Sequence, residues 1–242
     1  MGKRSILEKL TNSSFYKEPK FPEYISVWSQ PLVRLLLLEL ANYKVETEGS
    51  FPSIPSLILP YPHGEHLNSF LMPGIEKISY LAASDTFYDV WWKGLALSLC
   101  LNILPITRDN VTRDSLLAEI NQAKQAMDEK KHHVIVYPQG TRAGLASSLD
   151  EIKVGLKRGT EFIARRLDAP VFALGIVYEN GYNPHKGGTD ALAEMIRSFK
   201  RLQRPVRRNV RLRFEELDPE TVKSRHLFMN TLAQTLWRLT TE

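Results

Sequence analysis

The sequence predicts an α/β fold: a single domain whose mixed, largely parallel sheet is covered by helices, preceded by an N-terminal helical segment. Three observations carry that expectation. Short apolar runs bounded by proline or glycine alternate with amphipathic stretches of helical period along nearly the whole chain, as buried strands and covering helices do. No stretch is long or polar enough to be a linker, and neither an internal repeat nor a low-complexity segment is present, so the 242 residues read as one unit. With 43 % hydrophobic and 24 % charged residues, the composition excludes a disordered chain.

Residues 1–22 carry no sustained period and are expected to form an arm ahead of a domain at 23–242. "PEYISVWSQPLVRLLLLELANYK" spaces Ile25, Trp28, Leu32, Leu35 and Leu36 by three and four, which predicts a helix. Leu37, Leu38 and Leu40 widen its apolar stripe; burial against a core or contact with a bilayer would each account for that width. Strands follow at "YKVETEG", "SLILPYP" and "ISYLAAS", then a helix at "DTFYDVWWKGLALSLCLN" and a short strand at "ILPITR". "TRDSLLAEINQAKQAMDEKK" reads as an amphipathic helix capped by Thr112. "HHVIVYPQGTR" is a strand running into a turn, its two histidines expected to be solvated, and "EIKVGLKRGTEFIARRLD" is helical. The last elements are a buried strand at "APVFALGIVY", a helix at "TDALAEMIRSFKRL", an edge-like alternating strand at "NVRLRF" and a closing helix at "DPETVKSRHLFMNTLAQTLWRLT".

Several function classes fall away early. A single cysteine, Cys100, permits neither a disulfide framework nor a thiolate metal site and suits a reducing compartment. No run reaches the roughly 18 uncharged apolar residues of a membrane span, and "MGKRSILEKLTNSS" lacks the apolar core of a secretory signal. The expectation is a cytoplasmic protein, soluble or peripherally attached to a membrane. Net charge is +5, and residues 197–213 hold Arg197, Lys200, Arg201, Arg204, Arg207, Arg208, Arg211 and Arg213 without an acid. Such a segment attracts anionic lipid or nucleic acid. Only Phe199 and Phe214 accompany it and no nucleic-acid motif is present, so no nucleic-acid partner is expected.

Three segments lie where an apolar strand gives way to a turn: "PHGEHLN", "PITRD" and "YPQGTRAG". Ligands of open α/β sheets bind outside such strand ends. Gly140, Thr141 and Arg142 would offer backbone N–H groups and a guanidinium to a phosphate, with Arg108 as a second fork. An imidazole at the same rim could take a proton from a hydroxyl of the bound compound. His63 and His66 as a metal pair lack an identifiable third ligand, so no metal is expected.

Four blocks in order resemble the lysophospholipid and glycerol-phosphate acyltransferase family. The family's N-H-x-S-x-x-D stands here as Pro62-His63-Gly64-Glu65-His66-Leu67-Asn68-Ser69, and its strand ending in arginine as "LPITR" with Arg108. F-P-E-G-T-R stands as "YPQGTR", and the buried V-P-V-x-P-V strand as "APVFALGIV", preceded by "LKRGTEFIA". The resemblance spans about residues 39–214 and implies a glycerol-phosphate acyltransferase-like fold. It also implies transfer of a fatty acyl group from acyl-CoA or acyl-carrier protein to a lysophospholipid hydroxyl, with lysophosphatidate the default acceptor and no further cofactor.

The resemblance assigns roles residue by residue. His63 is the general base, and Asn68 stands in the place of the aspartate that orients it. Arg108, Gly140, Thr141 and Arg142 hold the acceptor phosphate. Gln139 replaces a glutamate beside them; Glu65 and Lys157 are auxiliary. An amide can aim an imidazole but supplies no negative charge, and Asp-to-Asn exchange in serine proteases lowers turnover about 10⁴-fold. Asn68→Asp is therefore expected to raise turnover. The alternative is a lipid-binding relative with impaired catalysis.

Overall fold

The computed structural model describes residues 23–63, 66–83, 101–106, 112–140, 144–179, 197–198, 200–201, 203 and 205–242. In chain order the elements are α1 (Glu23–Leu40), β1 (Tyr43–Glu48), β2 (Leu57–Tyr61), a 3₁₀ turn (His66–Phe70), a second (Ile75–Lys77), β3 (Ile78–Ala83) and β4 (Asn102–Ile106). They continue as α2 (Arg113–Asp128), β5 (His133–Val136), α3 (Leu149–Gly155), α4 (Arg158–Leu167), β6 (Val171–Tyr178), β7 (Arg208–Glu216), α5 (Pro219–Lys223) and α6 (Arg225–Thr241). Helices expected over "DTFYDVWWKGLALSLCLN" and "TDALAEMIRSFKRL" fall largely outside the described residues, as does the 1–22 arm.

The seven strands form one sheet in the order β1-β7-β6-β2-β5-β3-β4. Every neighbouring pair is parallel except β6 with β7, so the expected mixed, largely parallel α/β domain is what forms. β2 is buried along its whole length because helices cover both faces of a parallel sheet. Its side chains alternate. Leu57, Leu59 and Tyr61 join the core under α2, α4 and α6, while Ile58 joins the opposite core with Leu38 of α1, Leu174, Ile176 and Tyr178.

Three local expectations are corrected. "NVRLRF" is no edge strand: β7 lies between β1 and β6, and β1 takes the edge by pairing parallel to it. The single helix expected at "EIKVGLKRGTEFIARRLD" breaks between α3 and α4, where Leu156 and Lys157 are extended; the freed Lys157 N–H bonds the Pro138 carbonyl at 2.8 Å. The closing helix is interrupted too, with Ser224 extended between α5 and α6.

The two histidines where β5 begins depart from the expected solvation. His133 is 6 % exposed and packs edge-on against Phe51, ring centroids 4.8 Å apart, while Nδ1 of His132 lies 3.0 Å from Ser79 Oγ. Burial, with His132 and Lys77 adding like charge, lowers the His133 pKa to about 4.

The basic segment is also not the uniform cationic face it suggests. Arg211 pairs with Glu48 and Glu179, Arg213 pairs with Glu48, and buried Arg208 lies over the Tyr43 ring. Alternation along β7 between β1 and β6 brings these arginines against acids of neighbouring elements. Arg197, Lys200, Arg201 and Arg207 remain exposed.

Candidate functional site

In the sheet order β2 lies between β6 and β5, and the three run parallel, so their carboxyl ends share one edge. His63 follows β2, Tyr137 to Gly140 follow β5, and Tyr178 ends β6. Adjacency of these strands, which are distant in sequence, assembles the site at the edge where α/β sheets bind ligands.

β2 ends in a cis Tyr61–Pro62 peptide bond, and the next peptide unit, between Pro62 and His63, is gripped at both ends. Its N–H, on His63, donates to Gln139 Oε1 at 3.2 Å. Its carbonyl, on Pro62, accepts from Asn68 Nδ2 at 3.0 Å. The two amide side chains thus meet on one peptide group, and both are buried.

Asn68 is held from several directions. Its Oδ1 accepts a hydrogen bond from the Tyr178 hydroxyl. The 3₁₀ turn that carries it is tied by Arg34 of α1, whose Nε and Nη2 donate to the carbonyls of Phe70 and Leu71 at 2.9 and 3.0 Å. Tyr80 of β3 donates to the carbonyl of Ser69. A guanidinium fork supplies two donors in fixed geometry, which explains why an arginine holds this turn.

The half-buried His63 ring stacks on Tyr137, with centroids 3.7 Å apart and planes at 17°. Its Nδ1 is buried and makes no hydrogen bond with Asn68. Stacking limits rotation of the imidazole. Burial pushes the hydroxyls of Tyr80 and Tyr137 well above the ordinary phenol range, so both stay protonated. Neither can serve as the base; the imidazole can.

Gly140 adopts φ +69°, and a Cβ there would stand 3.2 Å from Lys157 Cγ, so the turn after β5 presses against the start of α4. This places Lys157 beside Gly140 and Gln139. Tyr61 reaches across to accept from the Ala146 N–H at 2.7 Å, tying the chain at 144–148 to the end of β2. Arg108, Thr141, Arg142 and Glu65 lie outside the described residues. A cavity of about 360 Å³ between α2 and α4, lined by Leu116, Arg158, Gly159, Glu161, Phe162 and Arg165, includes none of the expected site residues.

A solved enzyme structure shares this fold. The crystal structure of PlsC, the 1-acyl-sn-glycerophosphate (LPA) acyltransferase from Thermotoga maritima, matches with a TM-score of 0.51 over 87 % of this chain and 79 % of that one, at 18 % identity. No protein-family model matches the chain, and no curated protein does. Likeness to PlsC at this identity establishes a common architecture.

Two site residues were not read from the sequence. Tyr137 directly follows the apolar run of β5, which places it at the rim, but its stacking depends on a contact remote in sequence. Tyr178 carried no signal at all, because its role depends on β6 lying beside β2.

Proposed function

We propose that the protein is an O-acyltransferase that moves a fatty acyl group from acyl-CoA or acyl-carrier protein to the hydroxyl of a lysophospholipid, lysophosphatidate by default. His63 Nε2 takes the hydroxyl proton as the oxygen attacks the thioester carbonyl carbon. The carbon–sulfur bond then breaks, and the imidazolium returns its proton to the departing thiolate. Asn68 Oδ1, already accepting from Tyr178, has a second lone pair for the imidazole Nδ1–H. Arg108, Gly140, Thr141 and Arg142 hold the acceptor phosphate, with Gln139 shaping the pocket and Glu65 and Lys157 auxiliary.

The observation that carries this reading is the double grip on the Pro62–His63 peptide. It presents an imidazole, stacked on Tyr137, at the carboxyl edge of a fold shared with PlsC. The test is acyl transfer by purified protein from radiolabelled palmitoyl-CoA to a panel of lysophospholipids. Transfer is expected with lysophosphatidate and lost in His63→Ala, and survival of full activity in that variant would refute the base assignment.

Work at a membrane surface belongs to the same proposal. No helix among the described residues is long and apolar enough to cross a membrane. Leu32, Leu35, Leu36 and Leu40 of α1 are each more than half exposed, and the exposed Arg197, Lys200, Arg201 and Arg207 suit anionic lipid.

A second reading, a lipid-binding relative without turnover, is favoured by the structural use of Asn68 on Pro62. It predicts lysophospholipid binding that His63→Ala leaves intact and no transfer from any thioester.

A further inference from the structure

We infer that Tyr178 is a positioning residue for His63, acting through Asn68, whose Oδ1 its hydroxyl holds. This rests on the acyltransferase reading of the same site. Tyr178 ends β6 and is 5 % exposed, and Asn68 is fully buried.

The two ends of an amide are chemically different, so a buried asparagine works in only one of two flipped orientations. The Pro62 carbonyl can only accept, so it requires the Nδ2 end, which lies 3.0 Å away. The Tyr178 hydroxyl donates to the other end. The Pro62 carbonyl fixes this orientation, and the Tyr178 hydroxyl, which can donate or accept, stabilises it by donating to Oδ1. Flipping would set Oδ1 against the Pro62 oxygen, two buried acceptors facing each other.

The linkage then runs from β6 through Tyr178 to Asn68, and from Asn68 to the Pro62–His63 peptide, whose N–H Gln139 holds from the β5 side. Each strand flanking β2 contributes one anchor. A carboxylate has two equivalent oxygens and needs no such selection. The His-x-x-x-x-Asn spacing is thus a built arrangement with its own third member, and its tyrosine comes from a strand 110 residues away in sequence.

The experiment compares wild type, Tyr178→Phe, Asn68→Asp and the double variant. It reads kcat, KM and the pH profile of palmitoyl transfer to lysophosphatidate. In parallel, nitrogen-15 NMR follows exchange of the Asn68 side-chain amide and titration of the His63 ring. In Tyr178→Phe, kcat is expected to fall about tenfold with KM within about twofold, the signature of a lost orientation rather than lost binding. Its Asn68 amide should exchange faster, its His63 titration should shift, and the loss of kcat in the double variant should depart from the product of the two single losses.

An unchanged Asn68 exchange rate together with an unchanged His63 titration would overturn the inference. If the wild type transfers no acyl group, the acyltransferase reading fails, and the two NMR readouts still decide the role of Tyr178. Should Tyr178→Phe not fold, ring-fluorinated tyrosine, a stronger donor, must move the same resonances. Their immobility would overturn the inference equally.

Discussion

The amide nitrogen of Asn68 donates to the carbonyl of Pro62 at 3.0 Å. The sequence leads one to expect higher turnover in Asn68→Asp, and this bond argues for the opposite outcome. An aspartate has no donor there. It would set an anionic oxygen against a buried carbonyl and leave that carbonyl unsatisfied, a loss of about 1–3 kcal/mol. Asn68→Asp is therefore expected to lower both the chemical-denaturation midpoint and kcat. Urea titration beside a palmitoyl-transfer assay checks this, and higher turnover would show that charge outweighs geometry at this position.

Gln139 is predicted to tolerate glutamate better than it tolerates methionine. It serves the His63 N–H as an acceptor, and a carboxylate oxygen accepts as well. Gln139→Met removes the acceptor from a half-buried N–H, with an expected loss of about 1 kcal/mol and reduced kcat. Gln139→Glu should keep the stability within about 0.5 kcal/mol. Thermal unfolding of the two variants decides between an acceptor role and a requirement for neutrality.

His133 should make stability fall in mild acid. Its pKa is about 4 in the fold against 6.5 as the ordinary value, so between those limits the unfolded chain binds more protons than the native one. The stabilisation is complete above pH 6.5 and is lost as pH falls towards 4. After allowance for solvent screening, the loss is about 1–2 kcal/mol. Urea unfolding from pH 7.5 to 4 should show this slope, and His133→Gln should flatten it.

Gly175→Ala is predicted to loosen α6. A Cβ at this position of β6 would stand 2.7 Å from Leu239 Cβ and 2.8 Å from the Leu239 carbonyl oxygen. Backbone cannot rotate away as a side chain does, so the helix must shift, at a cost of about 1–3 kcal/mol. Differential scanning calorimetry checks the expected fall in Tm.

The exposed leucines of α1 give a prediction separate from catalysis. Leu35 and Leu36 are 63 % and 51 % exposed, so Leu35→Glu with Leu36→Glu should leave folding intact. Each leucine buried in a bilayer surface contributes about 1.5–3 kcal/mol. Co-sedimentation with phosphatidylglycerol vesicles should therefore drop more than tenfold in the double variant.

Much of the architecture was readable from local pattern alone. The fully buried β2, the alternation in β7 and the Thr112 cap of α2, whose side chain accepts from the Ser115 N–H, follow from period and capping chemistry. These depend on neighbours a few residues apart. The breaks at Leu156 and Ser224 were missed because their helical pattern runs on; at Leu156 the break coincides with the bond from Lys157 to Pro138, a partner remote in sequence.

The sequence by itself determined that parallel strands would end in a histidine turn and a glycine turn at one edge, because side-chain period and turn residues act locally. Only the tertiary structure decided what those turns touch. The β6-β2-β5 order brings Tyr178 to Asn68 and Gln139 to His63. The β1-β7-β6 order likewise brings Glu48 and Glu179 to arginines that look unpaired in the chain. The physical reason is that hydrogen bonds and ion pairs between strands depend on sheet order and register, which local pattern does not encode.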